Sequence, residues 1–143
     1  MQIHIINGPN LNLLGVRQPE IYGDKTMEEV FGDLREKYPK DNLSYFQSNH
    51  EGALIDKLHE IGFSSDGIIL NAGGLTHTSI SLGDAVKSIA SPVIELHISD
   101  IYKREAFRQN SYIRDGSIHQ IVGQGIAGYE MALKYFLDSD NRQ

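Results

Sequence analysis

Cysteine is absent from the sequence, which excludes disulfides, thiolate metal sites and a cysteine nucleophile. Positive charge is scarce as well: 13 Lys plus Arg stand against 19 Asp plus Glu, for a formal charge of −6. Proteins that bind phosphate backbones cluster Lys and Arg, and without a basic tract no nucleic-acid partner is expected. Long apolar runs are missing too. They extend over only a few positions, such as 68–70, against the ~20 residues of a membrane helix, so no membrane role is expected. No basic n-region or cleavage site accompanies the opening Met1-Gln2-Ile3-His4-Ile5-Ile6, so the cytoplasm is the expected compartment. What remains is ordinary globular composition: 143 residues, 40% hydrophobic, 8% aromatic and 22% charged. That is one domain's worth of chain.

Without repeats, low-complexity runs or linkers, 1–143 reads as a single domain in which apolar strands alternate with amphipathic helices. Gln2–Asn7 is a β-branched run closed by Gly8-Pro9. A helix is predicted over 26–38, with Met27, Val30, Phe31, Leu34 and Tyr38 at helical spacing and a Thr26/Glu29 capping box. A strand at 43–47 follows. Ser48 and Glu51 then make a second predicted capping box for a helix carrying Leu54, Ile55, Leu58 and Ile61. Gly67–Asn71 is the third strand, followed by a helix presenting Leu82, Val86, Ile89 and Ala90. Further strands are expected at 93–98 and His119–Val122, a short polar helix near 104–110, and a last helix with Ile126, Tyr129, Leu133, Phe136 and Leu137 inward. Five strands joined by helices imply right-handed crossovers. The expected fold is α/β: a flavodoxin-like, doubly wound five-stranded parallel sheet with helices on both faces. Ligands of such sheets bind outside the carboxyl ends of the strands, where strand order reverses.

Four segments fall at those ends. The loop at 8–25 is long for an α/β connection and carries Asn10, Asn12, Arg17 and Tyr22, which suits either a binding lid or a surface excursion. Asn71-Ala72-Gly73-Gly74-Leu75-Thr76-His77-Thr78 reads as a glycine turn at a helix N-terminus that favours an anion, or as a tight turn with Thr76 as N-cap. Glu95 and His97 alternate onto one face of their strand, as a carboxylate orienting an imidazole or as a buried structural pair. Beyond them Lys103, Arg104, Arg108 and Arg114 outnumber Asp100 and Glu105, a local excess of positive charge. Arg104 and Arg108, four apart, are expected on one helical face, as an anion clamp or a solvated surface. Gly123-Gln124-Gly125-Ile126-Ala127-Gly128 fits G-x-G-x-x-G. The acidic residue of a dinucleotide site, about 20 residues on, would lie past Gln143, so these glycines are expected to serve a turn and close packing, with backbone exposed to the crevice. The six histidines show no metal-ligand spacing.

Three stretches, Asn7-Gly8-Pro9-Asn10-Leu11-Asn12-Leu13-Leu14-Gly15, Asn71-Ala72-Gly73-Gly74-Leu75-Thr76-His77-Thr78-Ser79 and Glu95-Leu96-His97-Ile98-Ser99, resemble type II 3-dehydroquinate dehydratases. The likeness runs on through Arg104-Glu105-Ala106-Phe107-Arg108 and Gly123–Tyr129, with Asp100 where many relatives carry Asn and Ala106 where a second Glu is common. The resemblance implies a hydro-lyase of the shikimate pathway that removes water from 3-dehydroquinate by anti elimination through an enolate, without metal or organic cofactor. It implies Tyr22 as the base, with Arg17 beside it and a lid at about 15–25. His97 would be the acid, oriented by Glu95, and Asn10 would hold a water against the enolate oxygen. Asn71, His77, Ile98, Ser99, Arg104 and Arg108 would bind substrate, with Asp84 reaching in from a neighbouring subunit of a homododecamer built from four trimers. A free tyrosine titrates near ~10, so a phenolate at neutral pH needs about 4 kcal/mol from its surroundings. One guanidinium at contact supplies about that at an effective dielectric of about 20. The competing class is a flavodoxin-like nucleotide- or phosphate-binding module, which leaves Arg17, Tyr22 and the Glu95/His97 pair unexplained.

Overall fold

In the computed structural model, which describes residues 1–141, five strands form one sheet. They are β1 (Gln2–Asn7), β2 (Asn42–Gln47), β3 (Gly67–Asn71), β4 (Val93–His97) and β5 (His119–Val122), in the order β2-β1-β3-β4-β5. Every pairing is parallel. The helices are α1 (Pro19–Tyr22), α2 (Met27–Lys37), α3 (Glu51–Ile61), α4 (Ile80–Ser88) and α5 (Ala127–Asn141). The chain steps from β1 outward to β2, then back across β1 to β3. Strand order therefore reverses between β1 and β3, and the crevice opens there.

Strand alternation assigns the two faces. Ile3, Ile5, Ile69, Ile94, Leu96 and Ile121 pack against Met27, Val30 and Leu34 of α2 and Tyr129, Leu133 and Phe136 of α5. Ile6, Ile68, Leu70 and Val93 face Leu54, Leu58 and Ile61 of α3 and Leu82, Ala85 and Val86 of α4. Both faces are covered, which is why β3 and β4 are buried at every position instead of alternating with solvent. The same alternation sends Asn7 and Asn71 toward α5, while Glu95 and His97 project on the other face. Among the described residues no helix is long and apolar enough to cross a membrane.

Local departures from expectation have physical causes. Thr26 caps α2 by accepting from Glu29 N at 3.2 Å, as its capping box predicts. Ser48 does not cap α3. Its hydroxyl is taken by the amide of His50, which becomes the N-cap residue without a side-chain bond. Thr76 caps nothing, because Gly73–His77 forms a 3-10 turn and Ser79 caps α4, accepting from Leu82 N at 2.9 Å. Ile89 and Ala90 fall beyond the end of α4. The predicted polar helix near 104–110 is two 3-10 turns, Ile101–Lys103 and Ala106–Gln109, with Arg104 between them. Arg104 and Arg108 therefore do not share a helical face, although both reach the crevice.

Candidate active site

The crevice at the carboxyl ends encloses about 590 Å³, counting the space at its mouth, and its lining includes Asn10, Arg17, Tyr22, Asn71, His77, His97, Ile98, Ser99, Arg104 and Arg108. Ten of the residues expected from the sequence thus meet in one place. Two do not. Glu95 lies behind His97, and Asp84 sits exposed on α4 and does not line the crevice of its own chain.

The floor is built from strand ends. Gly8 makes the reversal possible: a Cβ there would stand 2.5 Å from the Ala72 carbonyl oxygen, so only glycine lets β1 and β3 end this close. Asn7 and Asn71 are register partners at those ends. Tyr129, fully buried on α5, ties them together: its hydroxyl donates to Asn7 Oδ1 at 2.8 Å and accepts from Asn71 Nδ2 at 3.1 Å. Asn71 Oδ1 in turn accepts from Gly73 N at 3.2 Å, fixing the glycine turn. Burial raises the Tyr129 hydroxyl far above the usual tyrosine range, keeping it a neutral two-way link.

On the other face His97 Nε2 donates to Glu95 Oε2 at 2.8 Å, both side chains being buried. Ser111 Oγ donates to the same oxygen at 2.5 Å, and Gln120 Nε2 to Oε1 at 2.9 Å. Burial alone would raise the Glu95 carboxyl. Its hydrogen bonds from His97, Ser111 and Gln120, together with the charge on His97, outweigh burial and hold it below the usual carboxylate range. His77 stacks on His97 with ring centroids 6.0 Å apart, and its Nδ1 donates to the Asn110 carbonyl at 2.8 Å. Burial, helped by His97 and Arg108, lowers the His77 pKa despite that bond, so the neutral imidazole is favoured.

The lid segment carries Arg17 and Tyr22. Gly15 and Gly23 at φ +93° and +85°, and Gln18 at φ +42°, bend the chain around the four-residue α1. The Arg17 guanidinium lies over the Tyr22 ring, 5.1 Å from its centroid. The Tyr22 hydroxyl itself accepts from Arg104 Nη1 at 3.0 Å, and the same nitrogen donates to Ser99 Oγ at 3.2 Å. Arg104 is therefore the staple between lid and floor. Arg108 is held toward Glu105 at 2.6 Å.

The two glycine segments serve turns, as expected, but differ in detail from expectation. The crevice meets the Gly73–His77 turn and not the α4 N-terminus, which Ser79 has already capped. The amides of Gly123 and Gly125 do not face the crevice as free donors. They bond to the carbonyls of His97, Ser99 and Ile98 at 3.0–3.2 Å, closing β5 against β4 and leaving no cradle for a dinucleotide phosphate.

Sequence reasoning missed Ser111, Gln120 and Tyr129. Gln120 carries a usable signal, since it is the polar register partner of Glu95 on β5. The paired strand-end asparagines point to a shared partner, although nothing in the spacing names Tyr129. Ser111 has no signal, because its place depends on the path of the 104–116 loop beneath β4.

Comparison with known proteins agrees with this geometry. The family described as dehydroquinase class II matches residues 1–137. A 3-dehydroquinate dehydratase of Prochlorococcus marinus (strain MIT 9301) is 52% identical over 136 residues, covering 94% of this chain and 92% of its own. A catabolic 3-dehydroquinase of Phaeosphaeria nodorum is 48% identical over 135 residues, covering 93% and 89%. The crystal structure of type II dehydroquinase from Butyrivibrio crossotus superposes with a TM-score of 0.91 at 44% identity, covering 95% of this chain and 97% of that one. Similarity along nearly the whole length, in sequence and in fold, places this chain in the class II dehydroquinase family.

Proposed function

We propose that this protein is a 3-dehydroquinate dehydratase that works by acid–base elimination through an enolate. The observation that carries the proposal is the crevice itself, where a tyrosine hydroxyl held by arginine and an imidazole held by a carboxylate line the same space. Tyr22, as phenolate, takes the proton next to the substrate ketone, and the electron pair of that C–H bond forms the enolate. The enolate collapses to the conjugated enone as the C–O bond on the opposite face breaks. His97 gives the departing hydroxyl its proton, so water leaves. Tyr22 has then gained one proton and His97 has lost one, and exchange with solvent resets both.

The surroundings suit these roles. Arg104 donates to the Tyr22 oxygen and Arg17 covers its ring, so two guanidiniums face the side chain that takes the proton. Since Nε2–H of His97 is engaged as a hydrogen-bond donor to Glu95, the proton given to the leaving group is the one on Nδ1. Asn10, held in a left-handed conformation at φ 71°, holds the water that supports the enolate oxygen. Arg108, Ser99, Ile98, Asn71 and the neutral His77 bind the substrate's carboxylate and hydroxyls. The assembly is a homododecamer, with Asp84 completing a neighbour's site.

The test is ultraviolet absorbance of the conjugated enone formed from dehydroquinate, before and after borohydride treatment in the presence of substrate. Activity that survives borohydride is expected, since no lysine Schiff base forms. Absence of enone, or trapping by borohydride, overturns the reading.

A further inference from the structure

Behind His97 a chain of polar side chains runs from the protein surface to Glu95. Arg114 Nη2 donates to the Tyr102 hydroxyl oxygen at 3.0 Å. Tyr102 donates to Gln120 Oε1 at 2.7 Å, and Gln120 Nε2 donates to Glu95 Oε1 at 2.9 Å. A guanidinium can only donate, so the Tyr102 proton points away from it, toward Gln120. That fixes the amide: its carbonyl faces Tyr102 and its NH2 faces Glu95. The Arg114 guanidinium also lies 5.8 Å from the Tyr102 ring centroid and donates to the Gln109 carbonyl at 3.3 Å, which holds the outer end in place.

The consequence falls on Glu95. With Gln120 on Oε1, and His97 and Ser111 on Oε2, both carboxylate oxygens receive donors whose directions are set from outside. Each of these donors bonds more strongly to the ionised carboxylate than to the neutral acid, so together they make Glu95 a weak base. Glu95 can attract the imidazolium but cannot readily take its proton.

We propose that Gln120 and Tyr102, anchored by Arg114, are positioning residues that keep Glu95 an oriented carboxylate and so keep the His97 proton available to the leaving group. The proposal rests on the reading of His97 as the acid. The groups facing this pair are His77 stacked on His97, Arg108 near His77, Ser111 beneath Glu95, and Gln120 from β5. Of these Gln120 alone reaches Oε1.

The test compares Gln120→Met, which keeps the length but removes the donor, with Tyr102→Phe, which frees the amide to turn. In Gln120→Met, kcat is expected to fall about tenfold with KM little changed, since a hydrogen bond to a charged group is worth about that factor. Its alkaline limb, which reports the acid, should move to higher pH, because a carboxylate that loses a donor holds the imidazolium beside it more strongly. Tyr102→Phe should move both in the same direction by less, about threefold in kcat. As Tyr102 is 43% exposed, this variant carries the test if Gln120→Met does not fold. A 15N NMR titration of the His97 ring without substrate reads the effect independently of turnover. If the titration shifts while His97→Gln keeps wild-type turnover, the acid assignment falls and the positioning role stands. Wild-type pH profiles and an unmoved His97 titration in the folded variants overturn the proposal.

Discussion

The segment at 15–25 and the strand ends beneath it carry the two halves of the proposed acid–base pair, and they are held in different ways. His97 is 5% exposed and Glu95 1%, and the imidazole Nε2 and both carboxylate oxygens are bonded inside the fold. Tyr22 sits on a four-residue helix between backbone bends, in a segment where Val16 is 75% exposed. Its hydroxyl is attached to the floor through one guanidinium, Arg104. The floor is preorganised by packing, whereas the lid is positioned by contacts that a moving segment can make and break.

The sharpest break of that comparison is on the lid. Tyr22→Phe is expected to lower kcat about 10³-fold, the usual scale for removing a general base, while leaving the melting temperature nearly unchanged. Its hydroxyl supports no core contact, so an activity loss without a stability loss separates lid from floor. Turnover near the wild-type rate would remove Tyr22 from the mechanism. On the floor the expectation inverts. Gly8→Ala places a methyl 2.5 Å from the Ala72 oxygen and 2.7 Å from its carbonyl carbon, backbone atoms that cannot swing away. Parting β1 from β3 should cost about 3 kcal/mol. Gly74→Ala, with nothing within 4 Å of the added methyl, is the matched control and should melt like the parent.

The same division explains how far the sequence could be read. Strand limits at Gln2–Asn7, Gly67–Asn71 and His119–Val122 agree with the structure because short runs rich in β-branched residues and closed by Gly, Pro or Asn have few other solutions. Glu95 and His97 were legible as a pair because strand period alone puts them on one face. Contacts that depend on the path of a loop were not legible. Arg17 lies beside Tyr22, as the resemblance implies, but spacing does not reveal that Arg104, 82 residues on, holds the hydroxyl. Nor do local motifs settle competition among caps. Ser48 and Glu51 satisfy the pattern, yet the His50 amide takes the hydroxyl first.

A smaller effect tests whether the floor's order reaches the substrate. Tyr129→Phe removes the hydroxyl that joins Asn7 to Asn71 and leaves two buried amide groups short of a partner. A loss of about 2 kcal/mol is expected. Because Asn71 also fixes the amide of Gly73 at the crevice wall, KM should rise more than kcat falls. Equal KM with reduced stability would confine Tyr129 to the core.

The smallest expected effect is on acid stability, and its sign follows from the folded-state shifts. Burial lowers the pKa of His4 and His77 below the ordinary histidine value of 6.5, so the unfolded chain binds their protons first. Their contribution is complete above that value and is lost as pH falls through the lower folded values. Glu95, held below the ordinary 4.5 by its donors, contributes above that value and loses its share only at lower pH. Melting temperature should therefore decline in two stages on acidification, the histidines before the carboxylate. The first stage should be smaller than the loss from Tyr129→Phe, since the two imidazoles are only partly buried. His77→Gln should reduce that stage to the His4 share and leave the second in place. A melting temperature independent of pH between 7.5 and 5.5 would show that solvent reaches these imidazoles freely, and that the floor is less closed than its hydrogen bonds imply.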